Sequence, residues 1–227
     1  MLQAELSAVI WDVDGTLVDT AELHFQAWLV LAGRIGKPFA RADFAATFGL
    51  RNQDIIPGIF GTHLSSRDVA ELGERKEESY RAAARQHGVI LLPGARALLE
   101  GLQTAGFKQA IGSSAPRKNL ELILQLTQSE QYFQAVVSVE DIQRGKPDPE
   151  VFLIAANKLA VSPNHCLVLE DAVAGVRAAK AAGMKCIAVR SGGQHSETAL
   201  VQAGADRVVS NLEQVSIGSV RQLLSAS

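Results

Sequence analysis

Ala8-Val9-Ile10-Trp11-Asp12-Val13-Asp14-Gly15-Thr16 is the stretch that decides how this chain folds. Its four leading apolar residues read as a short buried strand that ends in two carboxylates two residues apart. Side chains at i and i+2 share one face of an extended chain, so Asp12 and Asp14 can point into one site. Gly15 lets the backbone turn there without a Cβ clash. Two carboxylates held together repel, and the site calls for a cation or a shared proton. One acid can then attack while the other moves protons.

Working outward, the theme of an apolar run followed by a helix-like stretch recurs five times. Lys108-Gln109-Ala110-Ile111-Gly112 precedes residues 118–128, and Ala135-Val136-Val137 precedes 149–159. Cys166-Leu167-Val168-Leu169 precedes 173–182, Lys185-Cys186-Ile187-Ala188-Val189 precedes 197–203, and Arg207-Val208-Val209 precedes 220–224. Strands alternating with helices predict an α/β fold, a parallel sheet with helices on both faces. Such sheets carry their chemistry beyond the carboxyl ends of the strands.

Residues 17–90 break the theme and read as helices only. Thr20 is placed to cap a helix running to about Arg34, with Gly36 and Pro38 ending it. Asn52 to Phe60 is a shorter helix. Ser65 can cap a long one from about Arg67 to His87, stopped by Gly88. The chain therefore divides into a core of residues 1–16 and 91–227 and a small inserted α-helical cap domain of residues 17–90. Hinges are expected near 17–20 and 88–94, where Pro93-Gly94 marks a turn.

The chain has 227 residues, 47% of them apolar, enough for a sizeable core. Lys and Arg number 22 against 24 Asp and Glu, a net charge of −2, which argues against a broad nucleic-acid footprint. No apolar run reaches membrane-spanning length. Met1-Leu2-Gln3-Ala4-Glu5 shows no basic segment leading into an apolar stretch, so no secretory signal is read there. Cys166 and Cys186 sit in apolar strand-like runs and read as reduced core thiols, which points to a cytoplasmic protein. A monomer is expected.

Four strand tips carry complementary polar groups. The first bears Asp12 and Asp14. The second bears Ser113-Ser114 ahead of Pro116, and hydroxyls beside a helix N-terminus suit a phosphate. After the third comes Gly145-Lys146-Pro147-Asp148-Pro149, whose prolines hold Lys146 as a fixed positive charge. The fourth ends in Glu170-Asp171. Four acids against one lysine are costly to bury. With oxygen ligands and no His or Cys cluster, Mg²⁺ is the natural remedy. A divalent ion, a lysine and hydroxyls are also what a phosphoryl group needs in its transition state.

Asp-x-Asp-Gly-Thr after a strand, Ser113, Lys146-Pro-Asp-Pro and Glu170-Asp171 resemble the four ordered motifs of the haloacid dehalogenase-like phosphatases. The resemblance covers nearly the whole chain and implies a Rossmann-like core with a helical cap. Leu169-Glu170-Asp171-Ala172 with Gly175, and Ala181-Ala182-Gly183-Met184, look like the subgroup of β-phosphoglucomutase and sugar-phosphate phosphatases. The resemblance implies that Asp12 is the nucleophile, forming an aspartyl-phosphate, and Asp14 the general acid/base. It implies that Mg²⁺ is held by the Asp12 carboxylate, the Asp14 main-chain carbonyl and Asp171, with Glu170 nearby or acting through water. Ser113 would bind phosphoryl oxygens and Lys146 would neutralise charge.

In the cap, Thr20, His24 and Trp28 fall on successive turns of the helix leaving the Asp14 loop. His24 and Trp28 resemble sugar-phosphate positions of the subgroup, although Trp28 fits core packing equally. Val69, Leu72, Lys76 and Tyr80 form a stripe in which Lys76 either snorkels to water or points at an anion. Arg75-Lys76 followed by Tyr80 resembles the mutase subgroup, where this lysine meets substrate. The mutase pattern places an arginine after Gly-x-Ser, and in Gly49-Leu50-Arg51-Asn52 that arginine is displaced by a residue. Beyond Ser113 and Ser114 the run Ala115-Pro116-Arg117 lacks the expected small polar residues, leaving Arg117 as a candidate phosphate clamp. Both departures count against bisphosphate handling. The expected activity is therefore a Mg²⁺-dependent phosphatase acting on a small phosphorylated metabolite such as a sugar phosphate. The alternatives are a β-phosphoglucomutase and, from another class, a phospho-acceptor signalling receiver. A late acid pair and an inserted cap speak against the receiver.

Overall fold

Strand β1, Ala8–Trp11, is wholly buried and lies inside a parallel sheet because its side chains are apolar on both faces. Val9 and Trp11 pack toward one helical layer, Ala8 and Ile10 toward the other. The indole of Trp11 donates to Gln109 Oε1 at 3.1 Å, and the Gln109 amide donates to the Leu99 carbonyl at 3.0 Å, so this buried glutamine has its partners. The computed structural model describes residues 6–191 and 195–225. Met1-Leu2-Gln3-Ala4-Glu5, read above for a leader, lie outside the described residues.

Helices α1 (Ala21–Arg34), α2 (Arg41–Thr47), α3 (Asn52–Phe60), α4 (Ser66–His87) and α5 (Ala95–Thr104) follow β1. Next come β2 (Lys108–Gly112), α6 (Arg117–Thr127), β3 (Ala135–Val137), α7 (Glu150–Leu159) and β4 (Cys166–Glu170). The chain continues through α8 (Val173–Ala181), β5 (Lys185–Val189), α9 (Glu197–Gln202), β6 (Arg207–Val209) and α10 (Ile217–Ser225). The sheet order is β3-β2-β1-β4-β5-β6 and every pairing is parallel. The winding reverses between β1 and β4, which opens a crevice beyond their carboxyl ends. Register sharpens the placement: Trp11 lies opposite both Ile111 and Leu169, so Asp12, Ser113 and Glu170 leave the sheet at one edge.

Helices α2–α4 form an insertion over that edge. Its core is aromatic, with Phe25 and Trp28 of α1 packed on Phe39, Phe44 and Phe60, and Phe48 packed on Phe44. Ser65 caps α4 as expected, its Oγ accepting from the Asp68 N–H at 3.2 Å. Thr20 does not cap α1, because its hydroxyl is engaged by Asp14. The two connections to the insertion run side by side: Val18 bridges Leu91, and the Leu92 N–H donates to the Leu17 carbonyl at 3.0 Å. Helices α2 and α5 were not foreseen. The first buries only Phe44 and carries almost no periodic signal. The second carries one at Ala95, Leu98, Leu99 and Leu102, but starts directly behind the Pro93-Gly94 turn. Both cysteines are buried free thiols. Among the described residues no helix is long and apolar enough to cross a membrane.

Candidate active site

The Lys146 ammonium ties two of the strand tips together. Nζ donates to Asp12 Oδ1 at 2.6 Å and to Glu170 Oε1 at 2.8 Å, and it stands 4.9 Å over the Phe152 ring. In its loop the Lys146–Pro147 peptide is cis, and Asp148 Oδ1 accepts from the Glu150 N–H that opens α7. The second oxygen of Glu170 accepts from the N–H groups of Asp171 and Ala172, at 2.7 and 2.6 Å. A Cβ at position 175 would overlap the Glu170 carboxylate, so Gly175 is what lets that acid lie against α8. Ser113 and Ser114 line the same cavity as Asp12 and Asp14. Ser113 Oγ accepts from the Ala115 N–H at 3.1 Å, and Ser114 Oγ is buried without a partner.

Asp14 is held from the opposite direction. Thr20 Oγ1 donates to its Oδ1 at 2.6 Å, and His24 Nε2 stands 3.1 Å from the same oxygen. Lys76 Nζ lies 2.7 Å from His24 Nδ1 and 2.9 Å from Glu77 Oε1. An ammonium has no lone pair, so Nδ1 is the acceptor and the ring proton sits on Nε2, facing Asp14. Burial alone pushes the Asp14 carboxyl up. The His24 ring and its hydrogen bond, the Thr20 hydroxyl and the Lys76 charge outweigh burial, and the net shift is down.

Asp12 behaves oppositely. Burial, with the charges of Glu170 and Asp14, raises its carboxyl to about 7 against the pull of Lys146. Burial, Glu170 and Asp12 push Asp171 well above the ordinary carboxylate range. Asp171 Oδ1 accepts a long 3.4 Å bond from Thr16, and Oδ2 is buried with no partner at all. A Cβ at position 15 would overlap that orphaned oxygen, and Gly15, at φ +85°, leaves the space beside it open. An unpaired carboxylate oxygen beside a second raised carboxylate fits a small hard cation. The sequence reading counted four acids near the ion, with only the main-chain carbonyl of Asp14 as a ligand and Glu170 nearby, and two of the four side chains have other partners. Asp14 faces Thr20 and His24, and Glu170 faces Lys146 and two N–H groups. Among the described residues no three His, Cys, Asp or Glu side chains are arranged as a metal cluster. Asp12 and Asp171 are the carboxylates without other partners to satisfy them fully, and the charge count around the site must also take in the Lys76–Glu77 pair on the Asp14 side.

Trp28 packs in the cap core and also lines the cavity. It stacks on Phe39 with centroids 5.7 Å apart, and it lines the cavity with Lys76 Nζ 5.2 Å from its ring. Lys76 does not snorkel, being only 3% exposed. Two expected substrate contacts are turned away. Arg51 donates to both Asp54 oxygens, at 2.7 and 3.0 Å, and to the Gln143 carbonyl at 2.7 Å. It thereby bridges the insertion to the sheet domain. Arg117 pairs with Asp141, and its N–H donates to Glu140, outside the cavity. Thr20 meets Asp14 rather than the cavity. The sequence reading missed Glu77 and Asn52, which line the cavity and bond each other at 2.8 Å. A signal existed for Glu77, since it shares the buried stripe of α4 with Val69, Gly73, Lys76 and Tyr80.

The cavity between the two parts holds about 60 Å³. A groove of about 590 Å³ adjoins it and shares Asn52, Glu77 and Ser114 with it. The family profile described as haloacid dehalogenase-like hydrolase matches residues 9–189. A β-phosphoglucomutase of Bacillus subtilis is 37% identical over 82% of this chain and 84% of its own length. A phosphorylated carbohydrates phosphatase of Thermotoga maritima is 31% identical over 90% and 94%. The crystal structure of a Clostridium difficile β-phosphoglucomutase superposes with a TM-score of 0.86 at 25% identity, covering 97% of each chain. The edge where β1 and β4 part, with Asp12, Lys146 and Asp171 gathered under a helical insertion, thus belongs to an enzyme: this chain is a member of the haloacid dehalogenase-like hydrolases, in the subgroup of β-phosphoglucomutases and sugar-phosphate phosphatases.

Proposed function

We propose that the protein is a Mg²⁺-dependent phosphatase of a sugar phosphate that works through an aspartyl-phosphate on Asp12. One observation carries the reading: Asp12 lies 2.6 Å from Lys146 in a cavity it shares with Ser113, Ser114 and Asp14. Asp12 attacks phosphorus in line, and the leaving sugar oxygen takes the proton that Asp14 carries in the substrate complex on Oδ2, the oxygen Thr20 and His24 leave free. Asp14 then accepts a proton from the water that hydrolyses the acyl phosphate. Lys146 stabilises the carboxylate form of Asp12 and offsets charge on the phosphoryl oxygens, and the two serine hydroxyls donate to those oxygens. Thr20 and His24 keep the Asp14 carboxyl aimed at the cavity. The residues that would hold Mg²⁺ are Asp12, Asp171 and the Asp14 main-chain carbonyl. The bound ion supplies Lewis-acid stabilisation of charge on the transferring group.

The cavity is well below the ~300–1,000 Å³ of ordinary ligand sites. Substrate therefore enters when residues 17–90 move away as a cap, hinged at the paired connections around Val18 and Leu91. The second reading, a β-phosphoglucomutase, is favoured by the Bacillus subtilis relative. It requires a grip on two phosphates, and Arg51 and Arg117 are each engaged by a carboxylate outside the cavity. That placement supports water rather than a sugar hydroxyl as the acceptor. Phosphate release from a panel of sugar phosphates with Mg²⁺, run beside a coupled assay on β-glucose 1-phosphate, tests the choice. Rapid release without glucose 6-phosphate is expected, and sustained formation of glucose 6-phosphate without release would replace the phosphatase by the mutase.

A further inference from the structure

The cap wall of the cavity carries a charge arrangement that the reaction does not use. Among the described residues lining the cavity, Lys76 is the one lysine or arginine, and its ammonium is already paired with Glu77. Glu77 is 3% exposed and is held by three donors: Lys76 Nζ at 2.9 Å, Asn52 Nδ2 at 2.8 Å and Asn119 Nδ2 at 2.6 Å. The Asn119 amide has no freedom to turn its oxygen toward the carboxylate, because Arg81 Nη1 donates to that oxygen at 3.0 Å. The carboxylate is thus locked in place by α3, α4 and, across the gap to the sheet domain, α6. Its pKa moves the same way: burial pushes it up, but the Lys76 charge, the nearby His24 ring and the hydrogen bonds of Lys76 and Asn52 bring the net shift below the ordinary value.

From this geometry we infer that Glu77 determines specificity, cancelling the Lys76 charge so that the cap end of the cavity accepts an uncharged hydroxylated group and rejects a second phosphate. The inference rests on the phosphatase reading above. A second phosphate at this end would face the Glu77 carboxylate of a neutral Lys76–Glu77 pair and, among the described residues lining the cavity, no free cation. A like-charge juxtaposition in a desolvated wall is strongly unfavourable. Sugar hydroxyls would instead find the Asn52 amide, the His24 ring and the remaining lone pair of Glu77, together with the Trp28 face.

The test compares phosphate release, with Mg²⁺, from glucose 6-phosphate and fructose 1-phosphate against glucose 1,6-bisphosphate and fructose 1,6-bisphosphate. The wild type is expected to favour the monophosphates in kcat/KM by about tenfold or more, with the difference in KM. Glu77→Gln is expected to narrow that ratio, because it frees the Lys76 charge while keeping the shape. Asn52→Lys, at a half-buried position, offers Glu77 another cation and should narrow it too, so a poorly folding Glu77→Gln protein does not end the test. Equal use of both substrate classes by the wild type overturns the inference while leaving the phosphatase standing. So does an unchanged ratio in folded variants, which would mark Glu77 as structural only. Absence of phosphate release from every substrate removes the phosphatase reading and this inference with it.

Discussion

The two walls of the cavity solve the problem of buried charge in opposite ways. On the sheet side, Asp12 and Asp171 are crowded by Glu170, both carboxyls are raised, and one Asp171 oxygen has no partner. On the cap side, Asp14, His24, Lys76 and Glu77 form a closed chain in which each polar group faces its complement. The first wall leaves a carboxylate oxygen unpaired, which suits the proposed cation and phosphoryl group. The second is complete before substrate arrives: Asp14 exchanges the proton in the proposed reaction, and His24, Lys76 and Glu77 orient and select. The contrast teaches where chemistry and recognition lie: unsatisfied charge marks the reacting centre, and satisfied charge marks the frame around it.

The sharpest way to break this contrast is at Asp12. Asp12→Asn is expected to lower phosphate release by about 10⁴-fold or more while leaving the fold intact, since it removes the attacking oxygen and also a crowded charge. Calorimetry and a phosphate-release assay on the same preparation check both halves. Next in size is the metal. Mg²⁺ is expected to raise the melting temperature of the wild type, because a ligand bound by the folded state alone stabilises it. Asp171→Asn should lose most of that shift, and an undiminished shift would move the ion elsewhere.

On the cap side the effects are smaller. Thr20→Val removes a charge-assisted bond to Asp14 and should lower kcat by about tenfold with KM little altered. Its Asp14 carboxyl should also titrate higher, which a kcat–pH profile reads. Glu77 makes the frame sensitive to acid. A carboxyl depressed in the fold contributes stability that is present above its ordinary value of 4.5 and lost as pH falls through its folded value. Urea titrations from pH 6 downward should therefore show a loss in the wild type that Glu77→Gln shows to a lesser degree. The smallest expected effect is at the thiols. Burial raises Cys166 to about 12 and pushes Cys186 further still, so neither should react with a thiol reagent until the protein is unfolded.

Reading the sequence located all six strands, because each is a short apolar run with a turn beside it, and the alternation with helices implies their parallel order. Asn52–Phe60 and the Ser65 cap were legible for the same reason: local chemistry specifies them. Thr20 shows the limit. Its position suits a helix cap, yet a carboxylate six residues back competes for its hydroxyl and wins, since a bond to an ionised acceptor is the stronger one. Arg51 and Arg117 show it again. A guanidinium near a phosphate site reads as a clamp until its neighbours Asp54 and Asp141 are seen to hold it.

The order of motifs along the chain alone determined the sheet, the family and the acids, lysine and serines that gather at its edge, because side-chain period and strand alternation are local rules. Only the tertiary structure decided how those charges are shared. Asp14 is completed by residues 6, 10 and 62 positions away, and Glu77 by one 42 positions away. Electrostatic pairing depends on distance in space and on burial, and neither is written in the spacing of residues along a chain.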